Sequence, residues 1–316
     1  PSGGKTAAFQ RRETINLKTA DEGEILMYEQ DSYASSIREL GKKYQIHEIG
    51  LKDYEDGQPL PEDVFSFLKE ARVFENLSPG NSAVGVQSVS RWLTALREVG
   101  ALDNTSVHIM TTQSLIIYAL QFAGETQRLG RQLQEMLELD KHACFCLTEA
   151  GGGSDAAGMQ TTAFREQDGY RIRGEKCMIM NAGFADYFLV AARLSDVEGY
   201  DGITLFLVDR DTPGLTVFPH TQTCGVTGVP INRIAFSDVR VPQERLVGQE
   251  GKGWKILMKV LNCTRPGVGA AALGAARTAM ERAAVYGKDR VCFGKPLNKN
   301  AVLQGKFAEM TLAWDG

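Results

Sequence analysis

The spacing of apolar residues changes period twice along this chain, and neither one sheet nor one helical bundle can accommodate both periods. From about Tyr28 to Asp140 the spacing is helical, as in Val64, Phe65, Leu68 and Phe74, with Pro61-Glu62-Asp63 as a helix start. Between Ala143 and about Pro242 come short β-like runs, "CFCLTE", "YRIRGEKCMIM", "YFLVAAR", "GITLFLVDR", "LTVFP" and "NRIAFSDVRV". Turn residues such as Gln167-Asp168-Gly169 and Thr212-Pro213-Gly214 cut them apart. After Gly253 the helical step returns through Leu273, Ala276, Met280, Ala284 and Gly287. This order predicts a multi-domain α and β protein: an N-terminal α-helical domain over 28–142, a central antiparallel β barrel over 143–243 and a partial C-terminal helical domain over 244–316. Residues 1–27, which start at Pro1 and carry Lys5, Arg11, Arg12 and Lys18, read as a tail, tag, processed end or remnant of a targeting peptide.

Individual helices are expected over Val89 to Val99 and Val107 to Phe122, with Gly100 and Gly124 as their left-handed C-terminal ends. Pro266 is expected to kink or restart the long helix after Gly253, because it removes a backbone donor. A further helix begins near Ala301, and an amphipathic pair at the end of the chain needs more chain or a partner subunit to cover it.

Composition narrows the kind of partner. The 35 basic and 39 acidic residues leave a net charge of −4 and are spread along the chain, which gives no footprint for nucleic acid. Apolar runs such as Tyr187 to Ala192 fall far short of the ~20 residues a transmembrane helix needs, so a soluble protein acting on a small molecule or another protein is expected. The six cysteines, Cys144, Cys146, Cys177, Cys224, Cys263 and Cys292, show no redox or zinc spacing and read as small core residues of a protein from a reducing compartment. The four histidines, His47, His108, His142 and His220, lack metal-ligand spacing; no metal is expected and no chemistry is assigned to them.

The stretch "CFCLTEAGGGSDAAGMQTTA" sets an apolar strand directly against Gly151, Gly152, Gly153, Ser154, Asp155 and Gly158. Such a backbone approaches a ligand closely and presents amide donors to anionic oxygens. It matches neither a Walker loop nor the dinucleotide GxGxxG, so a plain turn and a phosphate site both remain open.

"CLTEAGGGSDAAGMQTTA" also resembles the TEPGAGSD signature of the acyl-CoA dehydrogenases, FAD-dependent flavoproteins that oxidise acyl thioesters. "GEKCMIMNAGFADYFLVAAR", "IAFSDVRVPQERLVGQEGKGW" and "YGKDRVCFGKPL" resemble three further blocks of that family in the same order, and the likeness covers about Gly85 to Met310. It implies a helical domain, a β barrel and a C-terminal bundle, of which about half is present here, assembled as a homodimer or homotetramer. The implied reaction is oxidation of an acyl-CoA or acyl-carrier-protein thioester to the 2,3-enoyl thioester, with electron-transfer flavoprotein or oxygen as acceptor, in fatty acid metabolism. The implied location is the cytoplasm of a bacterium or the mitochondrial matrix of a eukaryote. Flavin monooxygenases and non-catalytic assembly proteins on the same scaffold are the alternative.

By the same resemblance Phe145, Leu147 and Thr148 would line the flavin ring and Gly153 and Ser154 would hold its pyrophosphate. Arg290 and Phe293 would clamp the FAD of a neighbouring subunit, and Ser154, Asn262 and Arg265 would meet the substrate. Two departures concern the flavin: Met178 and Met180 stand where the family has the Trp and Thr of a WIT triplet, and Ala150 replaces the Pro of the signature. The family's general base, a Glu, is expected beyond Gly316; in a minority branch it would fall at Thr264, which is no carboxylate.

Overall fold

The computed structural model describes residues 32–46, 62–79, 86–226 and 228–316, and the segment 1–27 lies outside them. Among the described residues five α-helices come first: α1 Ser32–Lys43, α2 Glu62–Glu70, α3 Val86–Leu102, α4 Asn104–Phe122 and α5 Gly130–Leu137. The central one is α4, with Ile109, Met110, Ile116, Ile117 and Leu120 buried on several of its sides. It begins at Asp103, whose carboxylate accepts from the amides of Thr105 and Ser106 at 3.0 and 2.7 Å. It ends as expected beside Gly124, at φ +76°.

Gly100 is not a helix end. Helix α3 runs through it to Leu102, and Gly100 lies at the close crossing with the long helix α6, Gly253–Asp289. A β carbon on Gly100 would lie 2.5 Å from the carbonyl oxygen of Ala271, and one on Gly274 would lie 1.9 Å from that of Arg97. Beside this contact Glu98 is fully buried. Its carboxylate accepts both terminal nitrogens of Arg277, at 3.1 and 2.8 Å, and pairs with Arg38 of α1 at 2.9 Å. Burial is the largest influence and pushes its pKa up, but the arginines outweigh it and hold the carboxyl below its usual range.

Strands β1 Ala143–Cys146, β2 Thr162–Glu166, β3 Gly169–Met180, β4 Tyr187–Leu194, β5 Ile203–Asp209, β6 Leu215–His220, β7 Ile231–Pro242 and β8 Leu246–Val247 form one eight-stranded sheet. Its order is β6-β7-β3-β2-β4-β5-β8, with β1 also on β4. This departs from the expected antiparallel barrel in two ways. The sheet is open, since β6 and β8 end it without pairing to each other among the described residues. It is also mixed, because β1 and β2 both run parallel to β4. The reason is local: the segment between β1 and β2 returns to the line it left, so no hairpin reverses the chain.

Helix α6 continues unbroken through Pro266, contrary to the expected kink. Pro266 and Asn262 both face solvent, so water can reach the Asn262 carbonyl that loses its donor. A tight hairpin, β9 Val291–Cys292 and β10 Lys295–Pro296, then leads to α7 Ala301–Asp315, which has no buried residue. Val285, Tyr286, Val302 and Leu312 stay exposed along α6 and α7. No described helix is long and apolar enough to cross a membrane.

The α3–α6 crossing predicts a sharp contrast between two glycines. Gly274→Ala drives a methyl into the Arg97 carbonyl and should cost about 2 kcal/mol or more. Gly305→Ala on α7, where nothing lies within 4 Å, should be neutral or stabilise by about 0.5–1 kcal/mol. Chemical denaturation of both variants beside the wild type measures the difference.

Candidate active site

Strands β1 and β2 lie end to end along β4: Ala143–Cys146 pair with Tyr187–Val190, and Thr162 and Ala163 pair with Arg193 and Leu194. The glycine-rich loop between them is an excursion from a single strand line, and one ion pair closes its neck. Lys176 of β3 is fully buried. Its Nζ donates to Oε1 of Glu149 at 2.8 Å and to the Leu147 carbonyl at 3.0 Å. Glu149, at the loop's start, accepts from the amides of Gln160 and Thr161 at its end, at 2.6 and 3.0 Å. Burial lowers the pKa of Lys176, against the pull of Glu149. For Glu149 burial is again the largest influence and pushes upward, but Lys176 and the amide donors prevail and keep the carboxyl below its usual range.

Within the loop, Gly151, Gly153 and Ser154 are exposed. A β carbon would meet nothing within 4 Å at Gly151, and its nearest neighbour would be at 3.8 Å for Gly152 and 3.5 Å for Gly153. None of the three has positive φ. Neither conformation nor packing inside the chain therefore demands glycine, and a side chain would fill only the open space over the backbone. That is a cradle suited to the close approach of an anionic group.

Beside the loop the Cys177 amide donates to the Thr148 carbonyl at 3.0 Å. There β3 carries an extra residue relative to β7, since Lys176 pairs with Ile234 but Ile179 with Asn232. The bulge holds Met178 at φ +56° with 52% of its surface exposed. Two residues on, the Met180 sulfur lies 3.9 Å from the Thr112 hydroxyl of α4. Leu147 is buried and Phe145 half-buried against the core that includes α4. Phe145, Leu147, Thr148, Gly153, Ser154, Met178 and Met180 thus all stand around the ends of β1 and β3.

Helix α4 leaves one stripe half-open on its interior side: His108, Thr111 and Leu115. Thr112, with Met180 against it, flanks the stripe on one side. Tyr118 flanks the other side; burial, and to a lesser degree Cys263 of α6, push its phenol up to about 12. The half-open stripe thus lies between the Met178–Met180 bulge and α6, and the space over it is the candidate cleft.

Two family models match the chain: "Acyl-CoA dehydrogenase, middle domain" over residues 144–239 and "Acyl-CoA dehydrogenase, C-terminal domain" over residues 251–316. The short-chain specific acyl-CoA dehydrogenase of Megasphaera elsdenii is 33% identical over 288 residues, 90% of this chain and 75% of that protein. The chain belongs to the acyl-CoA dehydrogenase family. The human mitochondrial short-chain specific enzyme is 36% identical over 210 residues, 66% of this chain and 51% of that protein, so the match spans about half of its length. Among solved structures, butyryl-CoA dehydrogenase from Megasphaera elsdenii superposes with a TM-score of 0.82 at 30% identity, covering 92% of this chain and 78% of that one. A glutaryl-CoA dehydrogenase from Mycobacterium smegmatis in complex with FADH2 gives 0.78 at 26% identity, covering 95% and 75%.

In this acyl-CoA dehydrogenase chain the remaining expected site residues fall into two groups. Asn262 and Arg265 sit together on exposed α6 beside the cleft, the guanidinium donating to the Asn262 Oδ1 at 3.1 Å. Thr264 is buried, its hydroxyl donating to the Val260 carbonyl at 3.0 Å. Arg290 and Phe293 stand apart from the rest. The glycine loop is tied to the N-terminal end of α6: Arg193 donates to the carbonyls of both Ala157 and Gly199, and Gly251 packs on Asp201. Arg290 follows the other end of this 37-residue helix, about 55 Å away at 1.5 Å per residue. The two groups cannot meet within one chain.

Sequence reasoning passed over Glu149, Lys176 and His108. A strand lysine normally points to solvent, and nothing in "GEKCM" marks this one as buried. It also placed all six cysteines in the core, whereas Cys224 and Cys263 are exposed, each on a segment whose packing faces lie elsewhere.

Glu149→Gln leaves Lys176 buried without a counter-charge and should cost roughly 3–5 kcal/mol. Because the folded carboxyl titrates below its unfolded value, its stabilisation is full at neutral pH and drains as pH falls through the lowered folded value. Urea unfolding between neutral pH and the acid range should therefore show the wild type losing its advantage over Glu149→Gln as pH drops.

Proposed function

We propose that the chain carries out FAD-dependent oxidation of an acyl-CoA thioester to the 2,3-enoyl thioester. The observation that carries this reading is the open glycine cradle, stapled at its neck by Glu149 and Lys176, beside a cleft that ends at Arg265. Bound FAD supplies the two-electron acceptor for the hydride leaving the β carbon. The protein's part is placement. Amides of Gly151 to Gly153 and the Ser154 hydroxyl donate to the pyrophosphate, while Phe145, Leu147, Thr148 and Met178 bound the ring. Met180 offers the ring a thioether where a hydroxyl is usual, so only its backbone amide can donate there.

On the substrate side, the half-open stripe of α4 receives the acyl group and excludes water from it. Asn262 and Arg265 hold the polar CoA arm at the mouth, the arginine through its planar fork. None of the side chains named around the cleft is a carboxylate, so the acceptor of the α-proton is a group outside them. Arg290 and Phe293, too distant for their own chain's cradle, clamp the FAD of a second copy, and the exposed apolar residues of α6 and α7 are covered in the resulting homodimer or homotetramer. Electrons leave to electron-transfer flavoprotein or oxygen. The protein works in the bacterial cytoplasm or the mitochondrial matrix.

Purified protein should be yellow, or become so with FAD, and should bleach anaerobically on adding a saturated acyl-CoA. A colourless protein that binds no FAD points instead to an assembly role on the same scaffold. A yellow protein that no acyl-CoA bleaches, but that consumes oxygen with a reductant, points to a monooxygenase. Gly151→Val should weaken FAD binding at least tenfold by filling the cradle while leaving the apoprotein's melting temperature unchanged, since nothing of the chain lies within 4 Å of that position. Fluorescence titration with FAD and a thermal melt read the two quantities separately.

A further inference from the structure

The stripe of α4 that floors the cleft is apolar at Leu115 but not along its length. Its N-terminal member is His108, half-exposed toward the cleft, and Thr111 follows one turn later. The Thr111 hydroxyl donates within its own helix, to the carbonyls of Val107 and His108 at 2.9 and 3.3 Å, which leaves its lone pairs facing outward. No side chain or backbone group among the described residues hydrogen-bonds the His108 ring. Burial lowers its pKa, with Asp103 as the smaller, opposing influence, so the ring is neutral near pH 7 and carries one donor and one acceptor nitrogen. His108 and Thr112 are one helical turn apart on one face, and Thr112 touches Met180. The imidazole therefore stands about 6 Å along α4 from the level of Met180. Asp103 is the one charged group among the described residues that influences the ring, and its negative charge disfavours a carboxylate on the ligand.

A cleft meant for a plain alkyl chain gains nothing from an imidazole in its floor. An alkyl tail would strip water from both ring nitrogens and give no bond in return. We propose that His108 determines acyl specificity: its ring hydrogen-bonds an uncharged polar substituent on the acyl group, so the preferred thioesters carry a hydroxyl, carbonyl or amide on the chain rather than a simple alkyl tail. The proposal rests on the acyl-CoA dehydrogenase reading of the cleft and names its substrate class.

The test compares straight-chain acyl-CoAs with the same acyl groups carrying one hydroxyl at successive carbons beyond the β position. Two readouts are taken on the FAD-loaded protein: the rate of anaerobic flavin bleaching, and calorimetric Kd for redox-inert thioether analogues bearing the same tails. The wild type should favour one hydroxylated isomer over its alkyl parent tenfold or more in both readouts, because a site with a polar group to satisfy rejects the tail lacking the partner. His108→Leu should abolish or reverse that ratio, and His108→Gln, which keeps a donor and an acceptor, should retain most of it. Equal or better handling of the alkyl series by the wild type would overturn the proposal, as would an unchanged ratio in His108→Leu. If no acyl-CoA bleaches the flavin, the dehydrogenase reading fails, and the analogue Kd ratio still decides whether His108 discriminates.

Discussion

A lysine with no exposed surface, held by one carboxylate and one carbonyl, fixes the geometry on which the rest of the site depends. Lys176 hydrogen-bonds Glu149 and Leu147, and Glu149 in turn ties down Gln160 and Thr161. Four bonds thus gather both ends of the glycine-rich loop and the strand beside it at one point. An unpaired buried ammonium would be far too costly to tolerate, so the pair forms with the fold or the strand does not seat. Once it forms, the loop needs no internal packing of its own. Gly151, Gly152 and Gly153 can remain open to a ligand while the neck stays rigid, which is how a flexible sequence becomes a preorganised surface.

The cleft depends on a second close fit. Helices α3 and α6 approach until a β carbon on Gly100 or Gly274 would strike the opposing backbone, and Glu98 with Arg38 and Arg277 locks the crossing. This contact sets where α6 passes over α4, and so sets the distance between the Met178 bulge and Asn262. The ionic cluster adds little net stability, since desolvating three charged groups offsets much of their attraction. Its effect is on register: only one rotation of α6 brings Arg277 to the buried carboxylate and Gly274 to the Arg97 carbonyl.

Elements with a strong period were legible in the sequence: α4, β3, β4, β5 and β7 fall close to where their patterns put them. The failures each have a physical cause. Strand β2, "TAFRE", is too short to show alternation, and the parallel pairing of β1 and β2 with β4 is decided by the excursion between them. Gly100 was misread because a helix-ending glycine and a glycine at a helix crossing are the same letter; only the approach of Ala271 distinguishes them. Pro266 was misread because the harm a proline does in a helix depends on whether solvent reaches the carbonyl it leaves bare. For the candidate site, the cradle was visible as composition, but the staple that shapes it and the imidazole in the cleft floor were not. Both depend on which way a side chain points.

Met178 and Phe293 are apolar residues held in the left-handed region at a local energetic cost that their own packing does not offset. Met178 sits at φ +56° on the β3 bulge, half in solvent, and Phe293 sits at φ +52° and wholly exposed at the tip of the β9–β10 hairpin. Phe293 with Gly294, at φ +75°, forms the kind of two-residue turn that favours Asn or Gly in its first position. A chain selected for its own stability would place neither side chain there, for each combines backbone strain with exposed apolar surface. On the proposed reading, a flat apolar ring bound beside each of them would offset both. Met178 stands beside the cradle of its own chain, whereas Phe293, past the far end of α6, lies too far away to reach it. If Arg290 and Phe293 serve the cradle of a second copy, as proposed, strain at Met178 and Phe293 and the separation of the two groups would have one cause: a binding surface divided between chains.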